Sequence, residues 1–130
     1  MKALLTYSGA RLLAALTTLA LAGIIAWFSL VPATEAPAPQ LSDKLKHFVA
    51  YAALAAPWTV ALGPGLSRMG AALAFTSLYG AGLEVAQMMG NAGREGSLLD
   101  IAANLSGALT GLALASLLRG DWALFGGNRG

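Results

Sequence analysis

The sequence predicts an all-α fold, a four-helix transmembrane bundle with both termini on the cytoplasmic side (N-in/C-in), and three observations carry that prediction. Four long apolar segments stand at residues 12–31, 45–62, 70–89 and 98–118. Each is close to the roughly 20 residues that take a helix across a bilayer. The composition is 57% hydrophobic and 11% charged, with a mean hydropathy of +0.66, whereas soluble domains average about 25% charged. In lipid the backbone must satisfy its own hydrogen bonds, so segments of this length are helices. One domain is expected over residues 1–130.

The first segment, Leu12 to Val31, holds no charged residue. Lys2 and Arg11 precede it and Ala36-Pro37-Ala38 follows, the outline of a secretory signal with a cleavage site. Its apolar run exceeds the roughly 7–15 residues of a signal core, so it is read as a retained membrane helix. Pro32, Pro37 and Pro39 among small residues then make a short extended connector. Ser42 or Asp43 caps the second helix. Pro57 lies inside it, removes the bond to the Ala53 carbonyl and predicts a kink of the kind membrane bundles tolerate. Gly63-Pro64-Gly65 is a stop, and Arg68 marks the interface before the third helix.

The loop Gly90 to Gly96 leads to the fourth helix, where Ser97 and Asp100 have capping-box spacing. Ala103, Gly107, Gly111 and Ala115 form a small-residue ridge along that helix, suited to close packing or to a homo-oligomer through Gly107 and Gly111. Asp100 and Asn104 extend the same ridge. The tail from Arg119, with Trp122 and Phe125, reads as interfacial.

Orientation follows from Lys and Arg. Lys2, Arg11, Arg68, Arg119 and Arg129 share one side, five in all, against three on the other, Lys44, Lys46 and Arg94. The positive-inside rule puts both termini in the cytoplasm. The start of the second helix, the end of the third and the start of the fourth then share the outer face.

Several function classes are excluded. There is no cysteine, hence no disulfide framework, thiolate nucleophile or zinc-finger pattern. The formal net charge is +2 and the basic residues are scattered, so no nucleic-acid partner is expected.

The polar residues inside the apolar segments are the candidates for function. Glu84 lies five residues before Met89, about 7–8 Å inside the helix end. A charge at the bilayer centre costs roughly 2.5–3.5 kcal/mol even on lenient scales, so such acids mark sites more often than structural glue. Gly80 and Gln87 share its face, and Gly80 would let another backbone approach. Asp43, His47 and Tyr51 follow at i, i+4 and i+8 and continue to Leu54 and Trp58, which predicts an inward stripe. His47, the single histidine, could be a solvated interfacial residue beside Lys44 and Lys46, but the stripe points to a site.

Asp100 alone reads as a cap, Asn104 as a bridge between helices and Arg94 as half of a surface pair with Glu95; only their convergence makes a site. Two helix N-termini and the cations His47, Lys44 and Arg94 favour an anionic headgroup. Asp43, His47, Glu84 and Asp100 are metal-capable types, but no recognised ligand spacing is present. Neither a metal nor a cofactor is expected. The glycine-rich loop lacks the ending of a P-loop.

Together these residues resemble the VanZ-like family. The resemblance rests on Asp43-Lys44, His47-Phe48 and Tyr51, then Gly82, Glu84 and Gln87, then Arg94 ahead of Asp100, Asn104 and Gly107, in that order. It covers helices two to four, about two thirds of the chain. It implies a small multi-pass protein of the bacterial cytoplasmic membrane. The type member is associated with low-level resistance to the glycopeptide teicoplanin. By position, the family's polar residues fall on Asp43, Lys44, His47, Tyr51, Glu84, Gln87, Arg94, Asp100 and Asn104.

Three functions are compatible with this pattern. The first is a pocket for a membrane lipid or lipid-linked cell-envelope precursor at the outer leaflet. There His47 and Arg94 meet the anionic group, Glu84 and Asp100 orient those cations, and Gln87, Asn104 and Tyr51 supply hydrogen bonds. The second is a hydrolase or transferase acting on a polyprenyl-phosphate-type lipid, with His47 as base and Glu84 as its orienting group. It lacks a convincing nucleophile, since Ser42 and Ser97 read as caps. The third is a small drug exporter. Such exporters are expected to carry an acid in the middle of the first helix, and here nothing ionisable lies between Arg11 and Glu35.

Overall fold

A computed structural model of the chain describes residues 2–35, 38, 40–90 and 98–119. Four helices make the fold: α1 (Lys2–Leu30), α2 (Asp43–Leu62), α3 (Leu66–Met89) and α4 (Leu98–Arg119), with no strand among the described residues. All four are long and apolar enough to cross a membrane. The Ser97 cap, the Arg94–Glu95 loop and the tail beyond Arg119 lie outside the described residues.

The helices reach further than the apolar segments. α1 begins at Lys2 rather than near Leu12. Hydropathy ends at Arg11, but the preceding stretch is rich in Ala and Leu and has no proline, so helix propensity carries the backbone on. The connector is not wholly extended: Pro32 is followed by a 3₁₀ turn at Ala33–Glu35, closed by Glu35 N–H donating to the Pro32 carbonyl at 2.9 Å. α2 is capped by Ser42, whose Oγ accepts from the Leu45 N–H, and runs through Pro57 to Leu62. It stops at Gly63-Pro64-Gly65. Gly63 (φ 90°) and Gly65 (φ 126°) take backbone conformations that side chains disfavour.

The carbonyls at the end of α2 are satisfied by two arginines. Arg11 donates from Nε to Ala61 O at 2.9 Å and from a guanidinium nitrogen to Leu62 O at 3.1 Å. Arg119 donates to Thr59 O at 2.8 Å. Cationic donors suit the negative end of a helix.

α4 lies closest to α2. At Gly107 and Gly111 an added Cβ would run into the backbone of Phe48 and Ala52 respectively. Both glycines are buried against α2, so within the chain they serve the α2–α4 packing, and a second copy would have to use another face. α1 is the outer helix, tied to α3 by Tyr79 Oη donating to the Ala22 carbonyl and by Gln87 Nε2 donating to Ser29 O at 2.7 Å.

The interior is as polar as it is apolar. Leu54, Ala55, Met69, Ala72, Ala108 and Ala115 are buried beside Thr59, Thr76, Glu84, Asn104 and Ser116. The exterior is Leu-rich, with Leu12, Leu16, Leu19, Phe75, Leu78, Leu114 and Leu117 exposed. In water an apolar surface of this extent would drive aggregation. Facing lipid it is the favourable outside of an integral, multi-pass membrane protein.

Candidate functional site

The site gathers at the end of the bundle where α2 and α4 begin and α1 and α3 finish. On α2 the helical stripe turns inward progressively. Asp43 is exposed, His47 is half-buried, and Tyr51 and Leu54 are buried. The imidazole of His47 stacks on the Tyr51 ring, centroids 6.5 Å apart and planes 6° from parallel, which restrains its orientation. From α4, Asn104 Oδ1 stands 2.7 Å from His47 Nδ1. An amide oxygen can only accept, so Nδ1 carries the hydrogen, and in the neutral ring the lone pair is then on Nε2.

α3 brings Glu84 to the same place. The residue is 1% exposed. One polar atom each from His47, Glu84 and Asp100 lie within 4.8 Å of one another. Lys44 meets Asp100 Oδ1 at 3.1 Å, so this lysine neutralises an acid at the start of α4. Space for the cluster comes from Gly80, though not as the sequence suggested. Side chains approach it rather than a backbone: an added Cβ would meet the Tyr51 ring at 2.8 Å and Asn104 Nδ2 at 2.9 Å.

Beside this cluster, α1 and α2 enclose a cleft of about 360 Å³. Ile24, Ile25 and Phe28 give it an apolar wall, and His47, Lys46 and Gln87 give it a polar one. Its volume falls within the roughly 300–1,000 Å³ of small-molecule sites.

The structure thus brings together His47, Tyr51, Glu84, Asp100 and Asn104. Asp43 departs from the expected inward stripe. It sits on the rim of the cleft with its side chain 73% exposed, 3.9 Å from Lys46. Gln87 is buried with Glu84 but spends its donor on Ser29 of α1, and it reaches the cleft rather than the cluster. Arg94 lies outside the described residues.

Sequence reasoning missed the α1 contribution, Ile24, Ile25, Phe28 and Ser29, because an unbroken apolar helix gives no signal of which face meets a cleft. It also gave Lys46 no role, although adjacency to His47 was available. Comparison with family models, with curated proteins and with solved structures returns no match. The functional reading therefore rests on the site itself.

Proposed function

We propose that this chain binds a lipid-linked or cell-envelope ligand at the outer leaflet of a bacterial cytoplasmic membrane, in the manner of a VanZ-like protein. The observation that carries the reading is the two-sided cleft between α1 and α2. Its Ile24, Ile25 and Phe28 wall suits a hydrocarbon chain, and its Lys46 and His47 wall suits an anionic head. An amphipathic molecule already dissolved in the bilayer meets both requirements at once. Embedding Glu84, Asp100 and Asn104 behind His47 is costly in lipid, and a bound polar head gives that cost a use. The resemblance in α2 to α4 extends the reading to low-level glycopeptide (teicoplanin) resistance. Turnover receives no comparable support, since the Ser42 hydroxyl is spent on capping α2.

The test is native mass spectrometry of the detergent-purified protein with a polyprenyl phosphate, against a zwitterionic phospholipid of similar chain volume. Retention of the phosphate lipid by the wild type is expected, with at least tenfold weaker retention in His47→Ala and in Ala50→Phe, which fills the cleft. Equal retention of both lipids, or unchanged retention in both variants, would refute the reading.

A further inference from the structure

The meeting of His47, Glu84 and Asp100 asks for more than hydrogen bonding. We propose that these three side chains bind a divalent transition-metal ion, with zinc as its representative. Each comes from a different helix, α2, α3 and α4, and each offers one ligand atom within 4.8 Å of the others. Ligand bonds of roughly 2.0–2.2 Å close that separation with small side-chain rotations. One imidazole nitrogen and two carboxylates, with no sulfur, suit zinc or manganese. Calcium instead takes six to eight oxygens.

The surroundings fit the same reading. Metal-bound imidazoles regularly donate their second ring N–H to a fixed acceptor, which sets the tautomer and aims the free lone pair. Asn104 Oδ1 stands in that position at 2.7 Å from His47 Nδ1. The same amide supplies an independent sign of a ligand. Asn104 is 1% exposed, and its Nδ2 has no acceptor among the described residues. It lies toward Gly80, one turn along α3 from Glu84. A water or anionic oxygen held on the ion would accept from it. Lys44 also meets Asp100, and a carboxylate has lone pairs enough for both a lysine and an ion. No linear ligand motif exists because each helix supplies a single ligand.

This goes beyond lipid binding and is tested without lipid, so either reading can fail alone. Protein free of any histidine tag, in mild detergent, is stripped with chelator and titrated with zinc, with calcium as comparison. One equivalent of zinc is expected, and no calcium. Affinity should fall at least tenfold in Glu84→Gln and Asp100→Asn, and about 10–100-fold in Asn104→Ala, which touches no metal. X-ray absorption of the zinc-loaded wild type needs no variant to fold. The chain has one histidine, so one imidazole among oxygen neighbours identifies His47. Zinc without imidazole, or affinity unchanged in both acid variants, overturns the proposal. So does uptake seen only in Arg94→Ala, since a guanidinium would then hold the place of the ion.

Discussion

Gly80 and Gly82 stand two positions apart on α3, and a methyl group added to each meets opposite surroundings. At Gly80 it would press on the Tyr51 ring and on Asn104, both buried and both committed to His47. At Gly82 nothing lies within 4 Å. Gly80→Ala is expected to cost about 1–3 kcal/mol, the range for overpacking a filled interior. Gly82→Ala should stay within about 0.5 kcal/mol of wild type. Unfolding by denaturing detergent, followed by circular dichroism, measures both; equal losses would mean that the cluster is looser than described. Glu84 was legible in the sequence because a carboxylate in an apolar segment is too costly to face lipid, and it is indeed buried beside His47. Helical spacing put Asp43 on the inward stripe, whereas it lies exposed on the rim of the cleft, since periodicity does not say where along a helix burial begins. The cap roles of Arg11 and Arg119 left no sequence signal, because a side chain 50 or 60 positions away from its carbonyl has no local pattern.

At the scale of elements, the pairing of α2 with α4 holds the site together. It joins His47 to Asn104 and Lys44 to Asp100, one turn from glycines that admit the α2 backbone. Gly107→Val would force the helices apart at Phe48 and so lengthen the His47–Asn104 contact without touching either residue. The expected result is a loss of stability of about 3 kcal/mol or more, at or beyond the top of the usual overpacking range, because backbone yields less than a side chain. A changed ¹⁵N resonance for His47 should accompany it, reporting loss of the fixed tautomer; an unchanged resonance would separate the ridge from the site. The four spans were legible because each is apolar over the length a bilayer demands. Their ends were legible where a cap marks them, as Ser42 does for α2, and not where α1 continues on propensity past the point at which hydropathy stops. The small-residue ridge was legible as a packing face, but its partner was not, since a glycine ridge does not name the helix that fills it.

For the whole molecule, the open quantity is which end of the bundle faces out. Cross-helix bonds put the site at the end where α2 and α4 begin, and the two arginine caps of α2 at the opposite end. By the sequence's count of Lys and Arg, five against three, the positive-inside rule expects the site end to face outward. Access to an envelope ligand depends on this orientation, because a head group in the outer leaflet cannot reach a pocket at the inner one. The chain has no cysteine, so single replacements report without background. Glu35 follows α1 at the site end and Ser67 opens α3 at the other, both exposed. A membrane-impermeant maleimide applied to intact cells should label Glu35→Cys fully and Ser67→Cys less than about one tenth as much, because the reagent does not cross the bilayer. Permeabilisation should make them equal. Labelling in the reverse order would turn the site toward the cytoplasm and remove the outer-leaflet ligand, while leaving the His47, Glu84 and Asp100 cluster and its proposed ion untouched.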